Sequence, residues 1–479
     1  MFSVYAPKVN AQQSSAIGKP TAFVIQLLKF AWSNQLWSFT LPNNYGGVTS
    51  PIVADGLVYI TSGETLYCVN ASSGDQVWSQ PLNTYWFTVA KGCVYVDATV
   101  QLYPPPHNAG GFCCFNASDG VLLWTYTNGT NFGVPVADEA NVYVGDGEVN
   151  SSSVFALNAL TGAKIWSFLG PVGTSFDWNN LLFSGTVVYA FSSFGQESSP
   201  LHSGVWALNA SSGEIRWNYT APAQFSSFAT DGQNIYVCSN STDYAGTVFA
   251  LTANGTEKWH DPIKGSATSL IVDDGMVYAG CINGNVYAFD ASDGKVSWRY
   301  SVGPSFNSDL YVDGYLYVGS SSGVYCLDAF NGALIWNTKI NSATNPTYAY
   351  GIIYVGESGP MFFSPAIQHT FYALNAASGR ILWSYTFPNV GFTCAVADGT
   401  VYIGADWVTH LSPDNIGPGR LFALKPSLTS LPLPPVTLWE STILAIRIAA
   451  VLAVIIILTV VFVPRKRLKT KPSSFKSYD

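Results

Sequence analysis

The stretch 277–298, VYAGCINGNVYAFDASDGKVSW, decides the fold. It reads as three strands. Residues 277–280 alternate β-forming side chains, Asn283-Gly284 turns, 285–290 alternate again, and Ser292-Asp293-Gly294 turns before 295–298 ends on an indole. Residues 269–272, closed by Asp273-Asp274-Gly275, add a fourth strand in front. One unit is therefore a four-stranded antiparallel meander of about 40 residues, the size of a propeller blade.

Working outward, the closing tryptophan recurs as Trp37, Trp78, Trp124, Trp166, Trp217, Trp259, Trp298, Trp336 and Trp383. The strand before each turn reads LYCVNASSG, FCCFNASDG, VFALNALTG, VWALNASSG, VFALTANG, VYAFDASDG, VYCLDAFNG and FYALNAASG. A ninth copy, LFALKP at 421–426, stops before its glycine and tryptophan, and the missing strand stands at the other end as QLWSF, 35–39. A ring of sheets must join its first sheet to its last, and an N-terminal strand that completes the final sheet removes the exposed edges. The expected fold is all-β: a single propeller of eight to nine four-stranded blades over 34–426, with the nine tryptophans docking blade on blade.

The pattern VY-V-G, then ALDA-x-x-G, then W resembles the repeat of the pyrroloquinoline-quinone (PQQ) enzyme β-propellers. That resemblance implies a superfamily containing quinoprotein alcohol dehydrogenases and a non-catalytic group of assembly scaffolds. Eight blades are usual there, so nine units are a departure. It also implies, for the enzymes, PQQ, a calcium ion held by acidic and amide side chains, and a catalytic Asp. None of those motifs maps residue by residue onto this chain, so no cofactor is expected; PQQ and calcium belong to the alternative reading. The adjacent Cys113-Cys114 is similar to the cysteine pair that covers the quinone in some alcohol dehydrogenases.

Composition agrees with many short strands and glycine turns: 48% hydrophobic, 10% charged, 43 glycines and 15 tryptophans. Six of the 21 Lys+Arg lie after residue 464, leaving 1–464 with 15 cations against 28 anions. An acidic body argues against nucleic acid as a partner. Eight scattered cysteines have no metal or disulfide spacing, and neighbours on a strand point to opposite faces, so Cys113 and Cys114 read as small buried residues.

Residues 1–33 read as a leader that resembles the tail of a secretory signal without its apolar run. After Pro426 comes a proline-rich linker, 427–442, and then 443–463, a 21-residue apolar run broken only by Arg447, long enough for a transmembrane helix. The basic tail 464–479 follows. By the positive-inside rule the tail is cytoplasmic and the propeller extracellular, a single-pass protein of the cell membrane.

Repeat lengths vary mainly between the second and third strands, at 97–111, 191–204, 240–246, 357–369 and 405–419. In a meander that connection always emerges on one side of the ring, so the insertions decorate one face. They hold His107, His202, His369 and His410, weak metal candidates without ligand spacing, and the aromatics Phe194, Tyr244, Phe362, Phe363 and Trp407, suited to gripping a protein or glycan. Sequons for glycosylation stand at Asn70, Asn116, Asn128, Asn150, Asn209, Asn218, Asn240 and Asn254. The acids are largely spent in turns: Asp55, Asp231, Asp274, Asp313 and Asp398 each precede a glycine. No nucleophile, base and orienting group assemble from spacing. The sequence points to a binding or scaffolding module rather than an enzyme, with a quinoprotein dehydrogenase and a surface-layer or adhesion component as alternatives.

Overall fold

A computed structural model of the chain describes residues 30–428, apart from 42–47, 103–106, 148–151, 177–180, 195–202, 241–244, 358–368, 407–418 and shorter gaps of one or two residues. The stretches 1–29 and 429–479 lie outside the described residues, as does the expected span at 443–463. Among the described residues no helix is long and apolar enough to cross a membrane.

The strands form nine antiparallel sheets in chain order. Blade 1 covers 52–81, blade 2 87–126, blade 3 136–169, blade 4 174–221, blade 5 224–264, blade 6 267–301, blade 7 306–338 and blade 8 347–387. Blade 9 takes three strands from 390–428 and its outermost strand, Phe30–Leu41, from the N-terminus. That strand starts at Phe30, inside the stretch read as leader. It runs antiparallel to Gly419–Leu428, with Trp37 opposite Ala423. All nine units are blades of one ring. Blade 4 departs from the four-strand pattern: Thr174–Ser175 and Leu181–Ser184 both pair with Val187–Phe194. The short first strand of that blade is split because the connection from blade 3 joins the sheet before turning away.

In blades 1, 6, 7 and 9 the first hairpin is the tight turn that its Asp-Gly predicts. Asp55 and Gly56 sit at φ 50° and 75°, and Asp274 and Gly275 at 45° and 74°, as a type I′ hairpin requires. The second turn is fixed by a side chain. Asn70 Oδ1 accepts from Ser72 N–H at 2.9 Å and Ser73 N–H at 3.1 Å, and Asp290 does the same for Ser292 N–H at 2.7 Å.

The buried apolar residues fall into nine clusters, one at each junction between consecutive blades. The cluster between blades 9 and 1 joins Trp37, Leu41, Tyr402 and Leu421 to Val58, Ile60 and Tyr67, closing the ring. At eight junctions the indole lies under the turn glycine of the next blade. A Cβ on Gly74 would meet the Trp37 ring at 2.5 Å, and one on Gly294 would meet Trp259 at 2.5 Å. Each of these indoles also donates to an alanine carbonyl beyond it, from Trp37 to Ala71 at 3.0 Å through Trp298 to Ala329 at 2.9 Å and Trp336 to Ala376 at 2.9 Å. A tyrosine often shares that acceptor, as Tyr278 does at Ala329.

The exception is Trp383. It is 6% exposed, yet its Nε1–H has no acceptor. The reason is the ring closure itself. Where other blades turn at Asn, Asp or, in blade 5, Thr252, followed by an alanine and a glycine, blade 9 runs straight on through Lys425 and Pro426, paired with Asn34 and Ser33 of the N-terminal strand. No turn means no glycine seat and no alanine carbonyl.

Candidate functional site

The face that carries the insertions is only partly described. Of its candidates, His202, His410, Tyr244, Phe362, Phe363 and Trp407 lie outside the described residues. Phe194 ends the strand Val187–Phe194, its backbone opposite Thr174. The insertion at 97–111 is not simply a loop: Cys93–Leu102 and His107–Asn116 extend the ladder until Leu102 faces His107. A sequence in which Gly110 and Gly111 interrupt the apolar alternation gave little sign of that extension. His369 also leaves the loop category. It opens the strand His369–Asn375 opposite Phe387 and is only 3% exposed. Among the described residues no group of three or more His, Cys, Asp or Glu could hold a metal ion.

Cys113 and Cys114 are free thiols. Cys113 packs into the junction of blades 1 and 2 and Cys114 into that of blades 2 and 3, so the two point into different cores. Burial pushes both thiols above their ordinary range. A pair divided in this way does not fit as the cover of a quinone, and no step through PQQ is derived.

The chemistry that the structure does reveal is a carboxyl absent from the sequence reading. Asp309 lies on the innermost strand of blade 7, Phe306–Val312, opposite Val318. In blade 6 the corresponding residue is Leu270, opposite Ala279 and 1% exposed. Asp309 thus puts an acid where the repeat elsewhere buries an apolar side chain. Ser269 Oγ–H of blade 6 donates to its Oδ1, whereas Oδ2 is enclosed without a partner. Burial raises its pKa from 3.8 to about 6, against the opposing pull of the Ser269 hydroxyl. Aligning SLIVDDG, 269–275, with SDLYVDG, 308–314, shows the substitution in the sequence alone.

A second buried acid, Asp97, stands in blade 2 midway along the second strand, opposite Phe112. Burial raises it to about 6 as well, partly countered by the backbone N–H of Phe132. Blade 3 has Gly145 at that place, where an added Cβ would strike the carbonyl of Phe176 at 2.2 Å.

Comparison with known proteins agrees with this architecture. The family described as outer membrane protein assembly factor BamB matches residues 28–168, 88–300 and 151–385. The chain belongs to this PQQ-like repeat family. Among relatives, the tetrathionate hydrolase of Acidithiobacillus ferrooxidans is 25% identical over 412 residues, covering 77% of this chain and 73% of that protein. The BamB of Moranella endobia is 24% identical, over 68% of this chain and 78% of its own length. Among solved structures, the quinohemoprotein alcohol dehydrogenase ADHIIG of Pseudomonas putida HK5 superposes with a TM-score of 0.53 at 15% identity, over 84% of this chain and 78% of that one. The last shows a shared fold. The PQQ-like family thus spans proteins named for assembly and proteins named for catalysis, and the residues within each ring must decide between them.

Proposed function

We propose that the chain is a membrane-anchored extracytoplasmic propeller that captures a protein or glycan partner through the loops of one face, as a scaffold rather than a catalyst. The observation that carries this is topological. Every long insertion joins a second strand to a third, so all of them rise from the same side of a rigid ring. The family description, an assembly factor, supports the same reading. The apolar run 443–463 and the basic residues after it supply the anchor and its orientation. Among the described residues Asn128, Asn218 and Asn254 are exposed sequon positions, whereas Asn70, Asn116 and Asn209 are half-buried and spend their Oδ1 atoms on the turns. Replacing 358–368 by a short glycine-serine turn should leave the thermal transition unchanged and abolish recovery of the partner in a pull-down from native membranes. Unchanged recovery removes the looped face from consideration.

A second reading has its own support in Asp309. A carboxyl that holds its proton to about pH 6 is suited to general acid catalysis, and one relative is named for hydrolysing tetrathionate. On this reading the purified chain turns over tetrathionate in acid solution, and Asp309→Asn lowers the rate about 10²–10⁴-fold while keeping the fold. Absence of turnover by the unaltered chain ends it.

A further inference from the structure

We propose that the side of the ring opposite the insertions carries, on blades 7 and 8, a docking surface for a cationic peptide segment of a partner protein. In a four-stranded meander the first hairpin and the second turn emerge together, on the side away from the connection between the second and third strands. The two are bonded to each other in both blades, Ala329 N–H to the Gly314 carbonyl and Ala376 N–H to the Gly351 carbonyl, each at 2.9 Å. Blades 7 and 8 are tied together there by the Trp336 indole, which donates to the Ala376 carbonyl, and by Tyr317 stacked on Tyr348 with centroids 6.4 Å apart.

Among the described residues the exposed aromatic side chains are Tyr315 at 42%, Phe330 at 81% and Tyr350 at 71%, and all three belong to these hairpins and turns. Phe330 takes the place of Ser72, Ser118, Ser211 and Ser292 in blades 1, 2, 4 and 6, where the hydroxyl donates to the turn's own asparagine or aspartate. Blade 7 gives up that bond to display a ring. Tyr350 has φ 53°, at the place of Asp55, Asp274, Asp313 and Asp398. Aspartate tolerates the left-handed region through local hydrogen bonds, whereas a bulky side chain there is a backbone outlier, and an exposed one recovers little from packing. Tyr315 completes the group, paired with Asp328 two residues before Phe330. Leu160 of blade 3 is exposed at the same place as Phe330, but no aromatic accompanies it, and the hairpin charges beside it, Lys91 and Glu139, pair with each other at 2.7 Å.

The charge around these rings is mostly of one sign. Asp274, Asp290, Asp313 and Asp328 lie on the hairpins and turns of blades 6 and 7, where Lys295 is committed to Asp293 at 2.5 Å, and Arg380 stands on the turn of blade 8. Carboxylates beside ring faces complement a guanidinium or ammonium group, which bonds the carboxylate and lies over the ring at once. Aromatic anchors within a polar rim are the make-up of a protein hot spot. A neutral glycan would use the rings and leave the acids idle, and an anionic lipid surface would be repelled by them. A cationic peptide uses both.

The test follows a fluorescein-labelled oligoarginine peptide by anisotropy on the full chain in detergent, with an oligoglutamate peptide as reference. Phe330→Ser and Tyr350→Asp restore the residues that the repeat uses elsewhere, so the double variant should keep its thermal transition and bind about ten-fold more weakly or worse. Because Tyr350→Asp adds a negative charge, attraction by net charge alone predicts equal or tighter binding by the double variant, and that result overturns the surface. Asp313→Asn, which suits the same φ, should weaken binding and flatten its dependence on salt. The chain with 358–368 replaced should bind the peptide as the unaltered chain does; loss of binding there assigns the peptide to the looped face and overturns the assignment made here. Displacement of the peptide by a neutral oligosaccharide gives the rings to a glycan instead, and failure of the unaltered chain to bind oligoarginine more tightly than oligoglutamate ends the proposal.

Discussion

Deletion of residues 1–41 is expected to abolish the cooperative thermal transition and drive the protein into aggregates. The strand Phe30–Leu41 supplies the whole outer edge of blade 9, in register from Phe30 opposite Leu428 to Leu41 opposite Gly419. It also places Trp37 and fully buried Leu41 in the junction with blade 1. Losing a buried tryptophan costs about 3–5 kcal/mol and a buried leucine about 2–5 kcal/mol. A domain's whole margin is about 5–15 kcal/mol, so these two side chains alone consume much of it before any ladder bond is counted. The strand Gly419–Leu428 would then be left as an unpaired edge, a template for pairing with other chains. Calorimetry and size-exclusion chromatography decide the matter. A monomer with an intact transition would mean that the ring closes without its N-terminal strand.

The same closure makes the neighbouring junction a control. Trp336→Phe removes a 2.9 Å bond from Nε1–H to the Ala376 carbonyl, a loss of about 1 kcal/mol beyond packing. Trp383→Phe removes a donor that already has no acceptor, so it should destabilise by less.

These expectations could be drawn because the closing tryptophan and the Asn-x-x-x-Gly or Asp-x-x-x-Gly turn are linked by contact: the glycine seat of an indole is missing only in the blade whose turn is absent. Spacing therefore revealed the ring, its closure at 35–39 and 421–424, and the place of each indole. What the repeat left illegible were departures from it. The split first strand of blade 4 depends on Thr174 and Ser175, which have no counterpart in the other units. The ladder that reaches Leu102 and His107 is carried by backbone pairing through glycines, without an alternation to announce it. His369 looked like a loop residue because insertion length was counted from the second strand, whereas the third strand claims it. Asp309 was readable, and it was passed over because attention to what the units share hides the one unit that differs.

That acid yields the second large effect, on stability against pH. Asp309 and Asp97 both have pKa values raised from 3.8 to about 6 by burial. In the folded state each holds its proton more tightly than in the unfolded chain, so between pH 3.8 and 6 the native state binds more protons and stability falls as pH rises. Their contribution is full below 3.8 and lost above about 6. Around Asp309 stand the Ser269 hydroxyl and the Cys281 thiol, and around Asp97 the Phe132 N–H and the Cys113 thiol, none of them a cation able to reverse the direction. Other acids run the opposite way. Glu257 is held low by the Tyr219 hydroxyl and His260, and Asp290 by the Ser292 hydroxyl, so their stabilisation disappears as pH falls through the ordinary carboxylate range. The two sets together place the maximum near pH 4, with a decline toward pH 7 on the order of 3 kcal/mol for each buried acid. Asp309→Asn should remove its share of that decline, and adding Asp97→Asn should leave a nearly level curve above pH 5. Melting temperatures followed by circular dichroism from pH 3 to 8 make the comparison; a wild-type curve that rises from 4 to 7 would mean that both carboxyls stay ionised inside the fold, which the unpartnered Oδ2 of Asp309 does not permit without a cation beside it.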